Sequence, residues 1–162
     1  MISCAECNEP MVSETESLAY AACGLPHVTL VGVEVRRCSA CGDHEVVIPK
    51  IEQLHRVIAQ AVIGKRARLT GAEVRFLRKY LGWSGVDFAR HMGVTAESVS
   101  RWENDREPMS PTADRLVRLM VVTREPVSSY SLDELVDLDL HAAPIHLEVE
   151  PKRGGWHARV AA

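Results

Sequence analysis

The chain lacks the features that would place it in several large classes. No apolar run approaches the ~18 residues of a membrane span, and the N-terminus "MISCAECNEP" has neither the basic stretch nor the apolar run of a signal peptide. A cytoplasmic protein is expected. A phosphate-binding loop is missing, because "GKRAR" (64–68) has neither the upstream glycine nor the Ser/Thr such a loop needs. There is no G-x-G-x-x-G, and the 7 histidines form no H-E-x-x-H. Nothing therefore points to an enzyme. The chain also lacks a large net charge: at −3 it is not the uniformly basic protein expected of a simple polyanion binder.

That average conceals a segregation. Residues 1–64 hold 4 Lys/Arg against 8 Asp/Glu, residues 65–124 hold 12 against 7, and residues 125–162 hold 3 against 7. A basic middle between acidic ends predicts a polyanion-binding module carried beside something else.

Four of the 5 cysteines fall in two C-x-x-C pairs, Cys4/Cys7 and Cys38/Cys41. Two ligands three positions apart fit one tight turn, and two such turns complete a tetrahedron of thiolates suited to Zn²⁺. Gly42 after the second pair and Asn8 after the first both tolerate the left-handed backbone this turn needs. Without a secretion signal, metal is favoured over cystine. A redox dithiol or an iron–sulfur cluster would use the same residues. Four protein ligands leave no open position, so one structural zinc per chain is expected. The segment also carries so little apolar sequence that metal is expected to hold it folded. Cys23 reads as a small buried or partly buried residue, and His27 and His44 as surface histidines.

The reading predicts two domains and a tail: a small α+β zinc-binding domain (1–64, β-strands plus one helix), an all-α helix-turn-helix domain of four to five helices (65–140), and a tail (141–162). "HVTLVGVEVRRC" (27–38) places Val31, Val33 and Val35 on one face of a half-buried strand, and "EVVIP" (45–49) is a plausible partner. Ile51, Leu54, Val57, Ile58, Ala61 and Val62 mark an amphipathic helix over 50–63, and "GKRAR" a basic linker. Thr70 with Glu73 makes a capping box. Ser84, Thr95 and Ser110 cap three more helices, the last with Pro111 at its first position. "SLDELVDLDL" (131–140) is a candidate fifth helix. The tail "PIHLEVEPKRGGWHARV" (144–160) reads as a β-hairpin or as disorder.

Residues 84–104 meet the requirements of a helix-turn-helix. Ala89 is small where two helices cross, Gly93 allows positive φ in the turn, and Phe88, Met92, Val94, Val99 and Trp102 hold the pair together. With Val99 and Trp102 inward, the second helix presents Thr95, Ala96, Glu97, Ser100, Arg101 and Asn104 outward. Arg101 can bind guanine bidentately and Glu97 can accept from cytosine. Ser84 and Thr95, at helix starts, suit phosphate oxygens, as do Lys65 and Arg68 in the linker. Specificity calls for two-fold pairing, expected through 105–140 with Leu116, Leu119 and Met120, on half-sites about 10 bp apart or a multiple of that.

"LTGAEVRFLRKYLGWSGVDFARHMGVTAESVSRWENDREPMSPTADRLVRLM" (69–120) resembles the xenobiotic-response-element type of helix-turn-helix, and "CAEC…CSACGDHEVVIPKIEQL" resembles the YgiT-type zinc-binding domain. The order is similar to MqsA-type antitoxins. The resemblance implies a homodimeric repressor of a palindromic double-stranded DNA operator whose N-terminal zinc domain contacts a toxin, with Arg101 reading a base and position 97 assisting. Here Glu97 is acidic where such helices commonly carry an amide or hydroxyl, and Gly85 stands where many carry glutamine. A stand-alone regulator sensing metal or thiol oxidation is the competing expectation.

Overall fold

The computed structural model describes residues 2–124 and 139–161. A strand-rich N-terminal region is followed by a helical region, and the chain returns in strands. In order these are β1 (Met11–Ala19), β2 (Val28–Cys38), β3 (His44–Val47), α1 (Ile51–Gly64), β4 (Ala67–Arg68), α2 (Gly71–Tyr80), α3 (Gly85–Met92), α4 (Ala96–Glu103), α5 (Pro111–Arg124), β5 (Asp139–Ala142), β6 (Leu147–Lys152) and β7 (Gly155–Val160). The expected helix at 131–140 falls outside the described residues up to 138, and Asp139 opens β5.

β2 is the spine of the sheet. One of its edges pairs along its length with antiparallel β1. The other is shared by antiparallel β3 at Glu34–Arg37 and parallel β6 at Val28–Leu30, and β7 closes the sheet beyond β6. The expected alternation of β2 is corrected at Val31, which is half-buried while Leu30, Val33 and Val35 are buried. Four residues of β2, from Leu30 to Val33, stand against only three of β1, from Leu18 to Glu16, and Gly32 at φ 67° absorbs the extra residue. This bulge moves the inward face from even to odd positions.

The segment 144–160 is a hairpin built into the sheet. Its inward residues Ile145, Leu147, Val149 and Trp156 are buried, and Trp156 Nε1 donates to the Pro49 carbonyl at 2.6 Å. These side chains join Val28, Leu30, Val33 and Val35 of β2 and Leu54, Ile58, Ala59 and Val62 of α1 in one apolar core. The N-terminal segment therefore has more apolar support than its own sequence suggests. Much of that support comes from α1 and from residues more than a hundred positions away.

α1 also packs against α2 and α5. The link between them, 64–68, is held and not loose. Arg118 of α5 is fully buried and donates to the carbonyls of Ile63 (2.9 Å), Lys65 (2.5 Å) and Ala67 (2.8 Å). Its Nε meets Asp114 Oδ1 one turn earlier at 2.6 Å, and Asp114 Oδ2 accepts from the Leu69 N–H at 2.8 Å. One buried ion pair thus satisfies four backbone partners besides bonding within itself, the condition under which such a pair is tolerated in a core.

Candidate nucleic-acid interface and metal centre

The helix-turn-helix forms as its spacing demands. Ser84 Oγ accepts from the Asp87 N–H (3.1 Å) to start α3, Gly93 ends it at φ 68°, and Thr95 Oγ1 accepts from the Ser98 N–H (3.2 Å) to start α4. Phe88, Ala89, Met92, Val99 and Trp102 are buried and Val94 is half-buried. The Thr70–Glu73 capping box starts α2 as expected.

α4 is anchored from beneath by Glu103, a half-buried residue between its inward and outward faces. Its carboxylate receives Arg75 Nε (3.2 Å) and Arg78 Nε (2.5 Å) from α2. Gly71, at the start of α2, donates to Asp105 Oδ1 at 2.7 Å, and a Cβ there would lie 2.6 Å from the Trp102 carbonyl. Only glycine lets α2 approach the end of α4 this closely. These clamps fix the orientation of the outward face: that Glu103 anchors an arginine is legible from its place between the two faces of α4, whereas the close approach at Gly71 is not.

That face carries Thr95, Ala96, Glu97, Ser100, Arg101 and Asn104, all exposed. Arg101 is 49% exposed, and its Nη2 donates to Glu97 Oε1 at 2.6 Å. Asn104 is engaged at both ends of its amide: Nδ2 donates to the Ser100 carbonyl (2.7 Å) and Oδ1 accepts from Arg75 (3.1 Å). It therefore braces the helix end and must release these bonds to meet a base.

Two expected phosphate contacts are corrected. Lys65 has a side chain only 7% exposed, with Nζ 2.5 Å from Glu73 Oε2 and 2.5 Å from the Ala143 carbonyl. Burial, with a smaller push from the Arg118 charge, brings this ammonium down from the ordinary lysine range, and the Glu73 carboxylate opposes the shift. Glu73, itself buried, also accepts from the Ile145 N–H at 3.2 Å. Lys65 is thus a structural cation tying the linker to α2 and to the start of the hairpin. Arg68 is half-buried on β4 with its Nε fully enclosed, in the wall of a cavity of about 330 Å³ beside Leu69, Val74 and Met109. It is no freely projecting linker side chain. The misreading has one cause: basic residues near a glycine look solvated until the chain that covers them is seen.

At the far end of the sheet the two C-x-x-C pairs form matching turns. The Asn8 N–H donates to the Cys4 carbonyl (2.9 Å) and the Gly42 N–H to the Cys38 carbonyl (3.0 Å). The Cys4 N–H donates to the Glu9 carbonyl (2.9 Å) and the Cys38 N–H to the Asp43 carbonyl (2.8 Å). Asn8 (φ 63°) and Gly42 (φ 77°) take the left-handed backbone that each turn requires. The four sulfurs lie within 4.8 Å of one another, with Cys7 at 3.3 Å from Cys38 and 3.5 Å from Cys41, and Cys4 at 3.6 Å from Cys41. A disulfide needs about 2.05 Å, whereas thiolates about 2.3 Å from a common zinc would stand roughly 3.8 Å apart.

The electrostatics agree with a cation. The Glu9 backbone N–H favours the Cys7 thiolate, yet the crowded sulfurs of Cys38 and Cys41 push that thiol up to about 12. Backbone N–H groups of Cys41 and Ala40 bring Cys38 down to about 7. Four thiols this close cannot all ionise unless a positive charge sits among them. The cluster could hold a metal ion, and its donor set fits a soft or borderline one.

A helix packed on its neighbour by Val99 and Trp102, with polar side chains turned outward, defines this region as a helix-turn-helix. Residues 70–128 match a family described as a helix-turn-helix domain, which supports a DNA-binding regulator over an enzyme. No curated protein and no solved structure matches the chain. Among the described residues, no helix is long and apolar enough to cross a membrane.

Proposed function

We propose that the chain is a sequence-specific transcriptional regulator and the antitoxin of a type II toxin–antitoxin pair, working in the cytoplasm. It binds a palindromic operator as a homodimer, represses its own operon through the 65–140 region, and holds its toxin through the 1–64 region. One zinc ion on Cys4, Cys7, Cys38 and Cys41 has a structural role. Arg101, Glu97, Ala96 and Ser100 face base edges, while Thr95 and Ser84 face phosphates.

The observation that carries the reading is the clamped α4, whose buried edge leaves Arg101 and its neighbours on an open surface. The acidic balance of 1–64 suits a basic partner. The pairing surface is the face of α5 opposite the buried Asp114–Val117–Arg118–Val121 stripe, where Leu116 is exposed and Leu119 and Met120 are half-buried.

The test couples two assays. Arg101→Ala should lose about 1–3 kcal/mol of discrimination at one base pair while still capturing the protein encoded by the neighbouring gene in a co-expression pull-down. Loss of capture with unchanged DNA binding would show that the two surfaces are misassigned. A stand-alone metal- or thiol-sensing regulator is favoured by one observation, the exposure of Cys7 and Cys41. It predicts that metal removal or oxidation releases DNA and that no partner is captured.

A further inference from the structure

The exposed face of α4 carries a carboxylate where it must meet a polyanion. Glu97 is in the first turn, 74% exposed, and bonded through Oε1 to Arg101 Nη2 at 2.6 Å. An exposed pair one turn apart on a helix contributes only a few tenths of a kcal/mol. The place of Glu97 in the first turn adds a favourable interaction with the helix dipole of about 0.3–1 kcal/mol, and against these small gains the acid would repel phosphates. On such a helix the N-terminal residues are the ones that reach base edges.

Resting on the reading of α4 as a recognition helix, we propose that Glu97 is a specificity-determining residue. It accepts a hydrogen bond from N4 of a cytosine in the base pair adjoining the one whose guanine Arg101 reads. Three considerations select that ligand. Only cytosine N4 and adenine N6 donate in the major groove, and adenine sets its N7 acceptor beside the donor, where it repels a carboxylate. Four helical residues advance about 6 Å, more than the roughly 3.4 Å between base pairs along one strand, so positions 97 and 101 stand over different pairs. The bond between them uses one oxygen of Glu97 and one amino group of Arg101. Oε2 remains for the cytosine, while Nη1, 3.6 Å from Glu107 Oε2 and beyond hydrogen-bonding distance, remains for the guanine with the second hydrogen of Nη2.

The experiment is selection from a random double-stranded DNA pool by the full-length protein, Glu97→Gln and Arg101→Ala, followed by anisotropy titrations on the selected duplexes. The natural chain should enrich a guanine beside a cytosine. Glu97→Gln should keep the guanine and exchange the neighbouring cytosine for adenine, because an amide matches adenine N6 and N7. The relative affinity of the two duplexes should change at least about fivefold. Retention of the cytosine by Glu97→Gln overturns the proposal, as does loss of the guanine without change beside it, which would make Glu97 a positioning residue for Arg101. If Arg101→Ala keeps the guanine, or no motif is enriched by the natural chain, the recognition-helix reading itself falls.

Discussion

Arg118→Met tests the account of the linker most directly. The substitution keeps side-chain length and removes a guanidinium that is fully buried. Asp114 Oδ1 then loses its partner, and the carbonyls of Ile63, Lys65 and Ala67 lose their donor. Breaking one side of a buried ion pair costs about 3–5 kcal/mol, because the remaining charge stays desolvated. Orphaned carbonyls add to this where water cannot reach them, about 1–3 kcal/mol each at most. Against a domain stability of about 5–15 kcal/mol, the variant should be marginal. Urea unfolding followed by circular dichroism should show a midpoint shift worth at least about 3 kcal/mol, or roughly 10 °C in Tm at about 2–4 °C per kcal/mol for a chain of this size. Asp114→Leu combined with Arg118→Met removes both charges and should be less damaging than Arg118→Met alone, though not neutral, since the Leu69 N–H and three carbonyls still lack partners. A loss below about 1 kcal/mol in the single variant, or a double variant worse than the single, would refute the reasoning.

Removal of the proposed zinc by a strong chelator should raise hydrogen exchange first at the turns around Cys4–Glu9 and Cys38–Asp43, with β2 and α1 protected by their shared apolar core; loss of protection at Leu30 and Ile58 together with the turns would contradict this. Burial holds His55 below the ordinary histidine range, beside the Tyr20 hydroxyl at 3.1 Å. Its neutral form is the folded one, so its contribution is complete above the unfolded value of 6.5 and is lost as pH falls toward the depressed folded value. His55→Gln should therefore flatten the stability change between about pH 7 and 5, as read by urea midpoints, and an unchanged slope would exclude His55 as its source. Leu116→Glu, on the open face of α5, should shift the proposed dimer to monomer in sedimentation while leaving its circular dichroism intact; an unchanged dimer would place the interface elsewhere.

The parts legible in the sequence are those whose information is local. Caps at Thr70, Ser84 and Thr95, the glycine at 93 and the spacing of Phe88, Val99 and Trp102 specify α2, α3 and α4 within a few residues each. The cysteine turns are local too, down to the backbone at Asn8 and Gly42. β1 escaped because "MVSETESLA" buries none of its side chains fully, so it has no alternation to read and is recruited by pairing with β2. The face of β2 was misjudged at Val31 because a bulge is a property of two strands. Asp114 and Arg118 sit at the buried phase of α5 with Val117 and Val121. They could have been found by asking why two charges lie in an apolar stripe, but read one at a time they look solvated. Lys65 was lost the same way, since its partner Glu73 lies on the next helix and Ala143 comes from far along the chain.

These long-range ties determine how the two proposed activities can be separated. Cutting the chain after residue 64 looks like a clean way to remove the region that carries the four-cysteine cluster. It would strip β6 of its pairing with β2, expose Val149 and Trp156, and take from Arg118 the Ile63 carbonyl it binds. The truncated protein would then lose DNA binding through instability, even if 1–64 never touches DNA. Substitutions on exposed side chains avoid that confusion. Arg101 and Glu97 bond chiefly to each other on an open surface, so their removal alters recognition without reaching the core. On the opposite end, charge reversals at Glu6 and Glu9, both exposed beside the first cysteine turn, change the surface a basic partner would meet. If these reversals abolish partner capture with DNA affinity and Tm unchanged, the division of labour rests on surfaces alone, within a molecule whose interior is shared.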